Sequence, residues 1–441
     1  MLLAAALPAA ARAREGHNPR GRMLGTVPAK TALRGRARLA APATTAAPSQ
    51  LTYHGGPVVH DGHVYAIFWA PPGYEFPADY RDAVADYFTR VAADSGKRTN
   101  VYSVSRQYGD AIGQAEYRVA FERSLDDTTP FPAGDCSDGM SPLCVTDDQL
   151  TQEMRDFVTA GDLPRGLDSQ YFLFLPPGVG SCSDSAGSEC AYHDYCAYHT
   201  WTEAAGTVLY AVHPFVTGVD SCDMGESPTG TSADAVLNVV SHEHNEIVTD
   251  PVGTAWYDDD GEENADKCGW IFGDMQGGGG ALYNQVIAGS PYLLQLEWSN
   301  RHRGCAASLP NQLPRASFAS SGTTVTGSPV TFDASGAWDS DGAIAAYAWS
   351  FGDGARGPGR VAHHTYARPG RYDVRLTVTD DDGGSASSTM TVLVGGAAPA
   401  RGGGLHGAAS RGRYSGGRAA SARRRGKRRH SAMRNSSILG R

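Results

Sequence analysis

The run Ser241-His-Glu-His-Asn-Glu246 holds the residue types in this chain best suited to chemistry. Apolar Ala235, Val236, Val239, Val240 and Ile247 recur around it at helical spacing. They predict a helix over Ser232 to Val248, with Thr231 or Ser232 as N-cap and Pro251 closing it. On that helix His242 and Glu246 lie one turn apart and face the same way, so an imidazole nitrogen and a carboxylate oxygen could reach one metal ion. Glu243, beside the first ligand, is placed to take a proton from water. This is the plan of a zincin helix, with glutamate where the usual H-E-x-x-H pattern has its second histidine. A further ligand must come from elsewhere, and Glu263 and Asp266 in the acidic stretch 258–266 are the candidates. Zn²⁺ is the expected ion. The carboxylate ligand hardens the site and leaves Mn²⁺ and Ca²⁺ open, and the same residues also suit a metal-free, hydrogen-bonded polar patch. His244, at i+2, is expected at the surface or behind the ligands. His199 and His213, near strand candidates, could each approach the site, but the structural reading is preferred and both stay outside it.

A helix of this kind needs a scaffold, and 441 residues suffice for two or three compact units with tails. Strands are expected at His63–Trp69, Tyr117–Phe121, Gln170–Leu175 and Thr207–His213, and further helices at Ala78–Ala93 and Asp147–Ala160. The order is that of an α/β, or α+β, domain over about 51–308. Its half from Gly253 to Cys305 is Gly- and Asp-rich and expected to be dominated by loops. All eight cysteines fall between 136 and 305 in Ser-, Asp- and Gly-rich sequence, which favours disulfides over zinc knuckles. Short loops suggest Cys136–Cys144 and Cys182–Cys190, and a long one Cys268–Cys305.

Charge is segregated. Residues 401–441 carry twelve Arg or Lys and no acid, leaving 18 basic and 46 acidic residues in 51–400, a net −28. A nucleic-acid partner is therefore disfavoured for the folded part. Residues 1–13 have the apolar stretch and small-residue end of a secretory signal, without its basic start. Residues 14–50 read as a flexible spacer and 396–441 as a basic disordered tail. No other segment offers the unbroken apolar run of a transmembrane span.

Residues 315–395, after a linker at 309–314, alternate Thr, Val and Ser between closely spaced turns, as an all-β sandwich does. Trp349-Ser-Phe-Gly-Asp-Gly354, His364-Thr-Tyr-Ala-Arg-Pro-Gly-Arg-Tyr372 and Val374-Arg-Leu-Thr-Val-Thr-Asp-Asp381 resemble the polycystic-kidney-disease (PKD) signature. Trp349 and Tyr372 are expected in its core. Asp339, Asp341 and Asp380 to Asp382 are expected as solvated turn residues, with Ca²⁺ the other option. Leu51-Thr-Tyr-His-Gly-Gly-Pro-Val58, Cys196-Ala-Tyr-His199 and Leu294-Gln-Leu-Glu-Trp-Ser-Asn300 resemble the Exordium, or phosphate-induced, protein family over about 51–308. The 241–251 run with Trp256, Glu263-Asn-Ala-Asp266 and Cys268 resembles bacterial relatives with a His-Glu-x-x-Glu helix and a zincin-like fold. The resemblance implies a secreted, extracellular or cell-wall protein and supplies no established reaction. Two functions follow. One is a metallohydrolase or metallopeptidase acting on an extracellular peptide or wall polymer, with Glu243 catalytic. The other is a non-catalytic protein binding an extracellular protein or polysaccharide.

Overall fold

The computed structural model describes residues 25–32 and 49–396. The expected signal remnant and all but the first residue of the basic tail lie outside the described residues. In chain order the larger domain contains β1 (Thr26–Pro28), β2 (Thr52–Tyr53), β3 (Gly62–Trp69), α1 (Tyr80–Ala93), β4 (Val119–Asp127), β5 (Leu143–Thr146), α2 (Asp147–Ala160), β6 (Ser169–Phe174), β7 (Val179–Cys182), β8 (Tyr195–Glu203), β9 (Thr207–His213) and α3 (Asp234–Thr249). Six strands form one sheet in the order β1-β8-β9-β6-β3-β4. β4, β3, β6 and β9 run parallel, whereas β8 and β1 are each antiparallel to their neighbours. Strands enclosed within a sheet and covered on both faces need continuous apolar sequence, and β3 and β6 have it: Val64 to Trp69 and Ser169 to Phe174 are buried without a break. Helix α1 lies along β3 and β4 with Tyr80, Val84, Tyr87, Phe88 and Val91 turned inward, and α3 lies along β8, β9 and β1.

Residues 25–32, which composition assigns to a spacer, enter this sheet at its edge as β1. An edge strand of three residues leaves no periodicity to read. The N-cap of α3 also differs from expectation. It is Ala233, because the Ser232 hydroxyl donates instead to Asp79 (2.6 Å) while the Asp234 carboxylate accepts from the amide of Thr231 (3.1 Å) and the hydroxyl of Thr229 (2.7 Å).

After α3 the chain forms only short pieces: β10 (Trp256–Tyr257) on β2, β11 (Gln285–Ile287) with β12 (Ser290–Tyr292), and β13 (Glu297–Ser299) with β14 (Gly304–Ala306). Disulfides take over where strands are short. The three expected pairs form, and Cys196–Cys222 is the fourth.

The second domain comprises β15 (Ala319–Gly322), β16 (Pro329–Asp333), β17 (Ile344–Ser350), β18 (Arg356–Pro358), β19 (Val361–Thr365), β20 (Gly370–Asp380) and β21 (Ser385–Val394), as sheets β15-β16-β19 and β18-β17-β20-β21. Trp349, Phe332, Phe351 and Tyr366 fill the space between them. Tyr372 is only half-buried, stacking on Tyr366 at 4.2 Å, so Tyr366 takes the core place. Gly352 is required at its turn: its φ is +85°, and a Cβ there would meet Asp373 backbone at 2.9 Å.

Most of the acidic turn residues are not simply solvated. Arg98 donates to Asp341 (3.1 Å) and Asp382 (2.5 Å), Arg106 to Asp382 (3.0 Å) and Arg301 to Asp341 (3.3 Å), tying the sandwich to the first domain. Asp341 accepts from two guanidinium groups and the Gln312 amide, so its oxygens are already engaged. Arg98→Ala should leave both cores folded but remove about 2 kcal/mol or more of docking. Protease cleavage within 309–314 should then speed up at least ~10-fold, read by timed digestion.

Candidate metal centre

Every residue of α3 is buried, and the helix contains no Lys or Arg. Such a helix must satisfy its polar side chains from within the protein. Asn245 accepts from Ser105 (2.9 Å) and donates to the carbonyl of Ser241 (2.9 Å). His244, expected at the surface or behind the ligands, is at neither place. It is fully buried edge-on to Phe172 (5.2 Å) and Tyr102 (5.1 Å), because the polar side of the helix is packed as tightly as the apolar side.

His242 and Glu246 do face one another, with Nε2 3.1 Å from Oε1, and Asp266 Oδ1 lies 3.5 Å from the same Nε2. The other face of the imidazole fixes its proton. Gln295 Oε1 accepts the Trp270 amide (2.8 Å), so it presents an acceptor to His242 Nδ1 at 3.3 Å, and Nδ1 is the donor. Nε2 points at Glu246 and Asp266 with no aligned hydrogen bond; without an ion these carboxyls favour the charged ring, and an ion that displaces its second proton would meet the Nε2 lone pair. Ligand atoms 2.0–2.1 Å from a tetrahedral zinc are ~3.3 Å apart, which the 3.1 and 3.5 Å separations match. The three residues therefore fit a metal ion.

His199, on β8, joins a second group on the same helix. Its Nδ1 is 3.1 Å from Glu243 Oε2 and 3.5 Å from Glu246 Oε2, so Glu246 serves both histidines. The ligand atoms of each set, His242–Glu246–Asp266 and His199–Glu243–Glu246, lie within 4.8 Å of one another. Glu263 belongs to neither set; its Oε2 is 3.8 Å from His199 Nε2. His213 stays apart, stacked on Phe174 (5.1 Å) and Phe172 (5.8 Å), and burial holds it down to about 3.

Carboxyl groups outnumber imidazoles in this buried space. Glu243, Glu246, Asp250, Glu263 and Glu297 are all buried around two histidines. Burial disfavours the ionised form of Glu246, yet His242 and His199 outweigh it and hold the carboxyl down at about 2. Burial pushes Glu243 up to about 7 against the pull of His199, and raises Glu263 well above the usual carboxylate range with Glu246 and Asp250 adding to it. Burial opposes the imidazolium of His199, but Glu243 and Glu246 push it up to about 10. A divalent cation here would favour the ionised form of each neighbouring carboxyl and displace the second proton of each imidazole.

The surroundings come from distant sequence. Asp266 is delivered by a short 3₁₀ turn, Asp266–Cys268, whose first amide donates to Glu246 Oε1 (2.9 Å). Residues 25–28 close the other side, where the Val27 amide donates to Glu243 Oε1 (3.3 Å). Glu243 is thus fully buried.

Comparison with known proteins bears first on the sandwich, where the family model described as PKD domain matches 311–394. Residues 311–394 form a PKD domain. Collagenase ColA of Clostridium perfringens is 39% identical over 71 residues, 16% of this chain, and the chain covers only 6% of that protein. The PKD1 domain of Vibrio anguillarum Epp is 34% identical over 20% of this chain and all of its own, with a TM-score of 0.19. Beyond the PKD domain's length, the chain has distant similarity to the Exordium-like proteins. Protein EXORDIUM-like 3 of Arabidopsis thaliana is 23% identical over 304 residues, 60% of this chain and 84% of that protein.

Proposed function

We propose that the chain is an exported metal-dependent hydrolase of the peptidase kind, with a zincin-like catalytic domain and an attached PKD module, acting on an extracellular peptide or wall polymer. The observation that carries this reading is the convergence of His242, Glu246 and Asp266, with Nδ1 engaged by Gln295 so that Nε2 is directed at the two carboxylates. Two imidazoles among carboxylates suit Zn²⁺, then Mn²⁺; Ca²⁺ prefers an all-oxygen shell of six to eight ligands. An ion held there supplies Lewis-acid polarisation and a lowered water pKa. Glu243, the residue after the first ligand, would accept the proton, and His199 would hold its carboxylate in place. Glu263 would stand behind His199. Four disulfides support an oxidising, extracellular setting. Among the described residues no helix is long and apolar enough to cross a membrane. The PKD domain would serve as spacer or adhesive module.

The test is metal content by elemental mass spectrometry after Zn²⁺, Mn²⁺ and Ca²⁺ are offered in turn. About one ion per chain is expected in wild type and none in folded His242→Ala. Glu243→Gln should keep the ion and lose hydrolysis of a peptide library. A folded wild type that stays empty would overturn the reading. It would also favour the second one, a non-catalytic binding protein, for which the burial of Glu243 beneath residues 25–28 speaks.

A further inference from the structure

The strand that covers the centre is bound in an unusual way. β1 pairs antiparallel with β8 through only Thr26, Val27 and Pro28, opposite Tyr198, Ala197 and Tyr195, and its register slips between Val27 and Pro28. Proline has no amide to give, so the ladder loses a donor at that position. What holds the segment is a set of contacts spaced along its backbone. Gly25 accepts from the His199 amide (3.1 Å), Val27 donates to Glu243 (3.3 Å), Pro28 accepts from the Trp270 indole (2.6 Å), and Ala29 and Lys30 donate to the carbonyls of Asp194 (3.0 Å) and Ser221 (2.9 Å). Val27 and Ala29 are fully buried. The Lys30 ammonium donates to the Asp223 carbonyl (2.5 Å) and lies 5.3 Å over the Trp270 ring.

Nearest the centre the fit tolerates no side chain. A Cβ on Gly25 would lie 2.1 Å from the His199 ring and 2.3 Å from Glu246 Oε2. The backbone at Gly25 therefore passes directly against the residues with ligand chemistry. An ordinary edge strand bonds to its neighbour and leaves side chains to pack. This one also sends an amide to the buried Glu243.

We propose that the β8 edge together with Trp270 and the Asp194–Asp223 carbonyls is a binding groove for an extended polypeptide, and that residues 25–31 occupy it as an internal blocking segment. The groove selects glycine against His199 and Glu246, a buried β-branched residue two positions on, and a lysine three positions after that. It rests on the proposed function for the role of Glu243, but the peptide contacts exist without any metal.

The experiment uses metal-stripped full-length protein and a fluorescein-labelled peptide of residues 22–32. Wild type should bind it weakly, because the groove is filled in cis. Gly25→Leu/Val27→Asp, which ejects the segment, should bind at least ~10-fold tighter, since apparent affinity scales with the fraction of empty groove. Unlabelled peptide should compete, and the same peptide with leucine at the Gly25 position should not. Should the double variant not fold, Lys30→Glu loosens the segment from outside the centre and carries the same expectation. Equal binding by folded wild type and variant, or none by either, overturns the proposal. Because metal is absent from this assay, the groove and the metal centre can each fail alone.

Discussion

Glu246→Ala should abolish metal loading and, in the metal-stripped protein, destabilise the α/β domain by about 3–5 kcal/mol, the usual cost of removing one partner from a buried ion pair. The size follows from Glu246 facing both His199 and His242 with no solvent to replace it. The pH dependence has a definite sign. Glu246 is held down to about 2, so its contribution is full above the ordinary glutamate value of ~4.3 and fades as pH falls through about 2. Burial works against the charge on His242, but Glu246 and Asp266 raise it well above the usual range. Its contribution is therefore full below ~6.5 and fades as pH rises through that raised value. Urea unfolding followed by tryptophan fluorescence should show the widest gap between wild type and variant from ~4.3 to ~6.5, where both partners contribute fully. Glu263→Gln is the control. Burial already favours the protonated acid there, and the amide is its near-isostere, so stability should change little. An equal loss in both variants would mean that general polarity, and not the shared carboxylate, holds the cluster together.

Much of the scaffold was legible because period carries it. α1 and α2 emerge at their expected places since one apolar face repeats at 3.6 residues, and β3 and β6 since strands enclosed in the sheet need unbroken apolar runs. His242, Glu246 and Asp266 were nameable because two are one helical turn apart and the third lies in an acidic stretch nearby. His199 could be named only as a residue able to approach the site and was set aside as structural, although it sits 3.1 Å from Glu243. Its approach depends on α3 packing against β8, a tertiary contact with no local trace. Gln295, which orients His242, is hidden for the same reason. His244, expected from its i+2 angle at the surface or behind the ligands, lies instead among Phe88, Tyr102 and Phe172. The absence of Lys and Arg from Asp234–Thr249 was the available signal, since a helix with a solvent face ordinarily carries them. β1 had no signal of its own, because its side-chain partners all lie elsewhere in the chain.

The Cys268–Cys305 disulfide should matter to the centre as much as to the fold. Closing a separation of 37 residues removes about 4 kcal/mol of unfolded-state entropy, against about 2.5 kcal/mol for the separation of 8 between Cys182 and Cys190. The longer link also ends two residues beyond Asp266, and it ties that 3₁₀ turn to β14, which pairs with β13 through Trp298 and Cys305. Without it, the Asp266 amide at Glu246 Oε1 and the Asp266 carboxylate near His242 would be held by the turn alone. Cys268→Ser/Cys305→Ser should therefore lose about 4 kcal/mol of stability in urea and weaken metal binding by about 10–100-fold, the range seen when the support of a ligand is removed. Cys182→Ser/Cys190→Ser should lose less stability and keep its metal affinity, because no residue of either ligand set adjoins that loop. Metal affinity that falls equally in both would show that global loosening, and not the placement of Asp266, governs the centre.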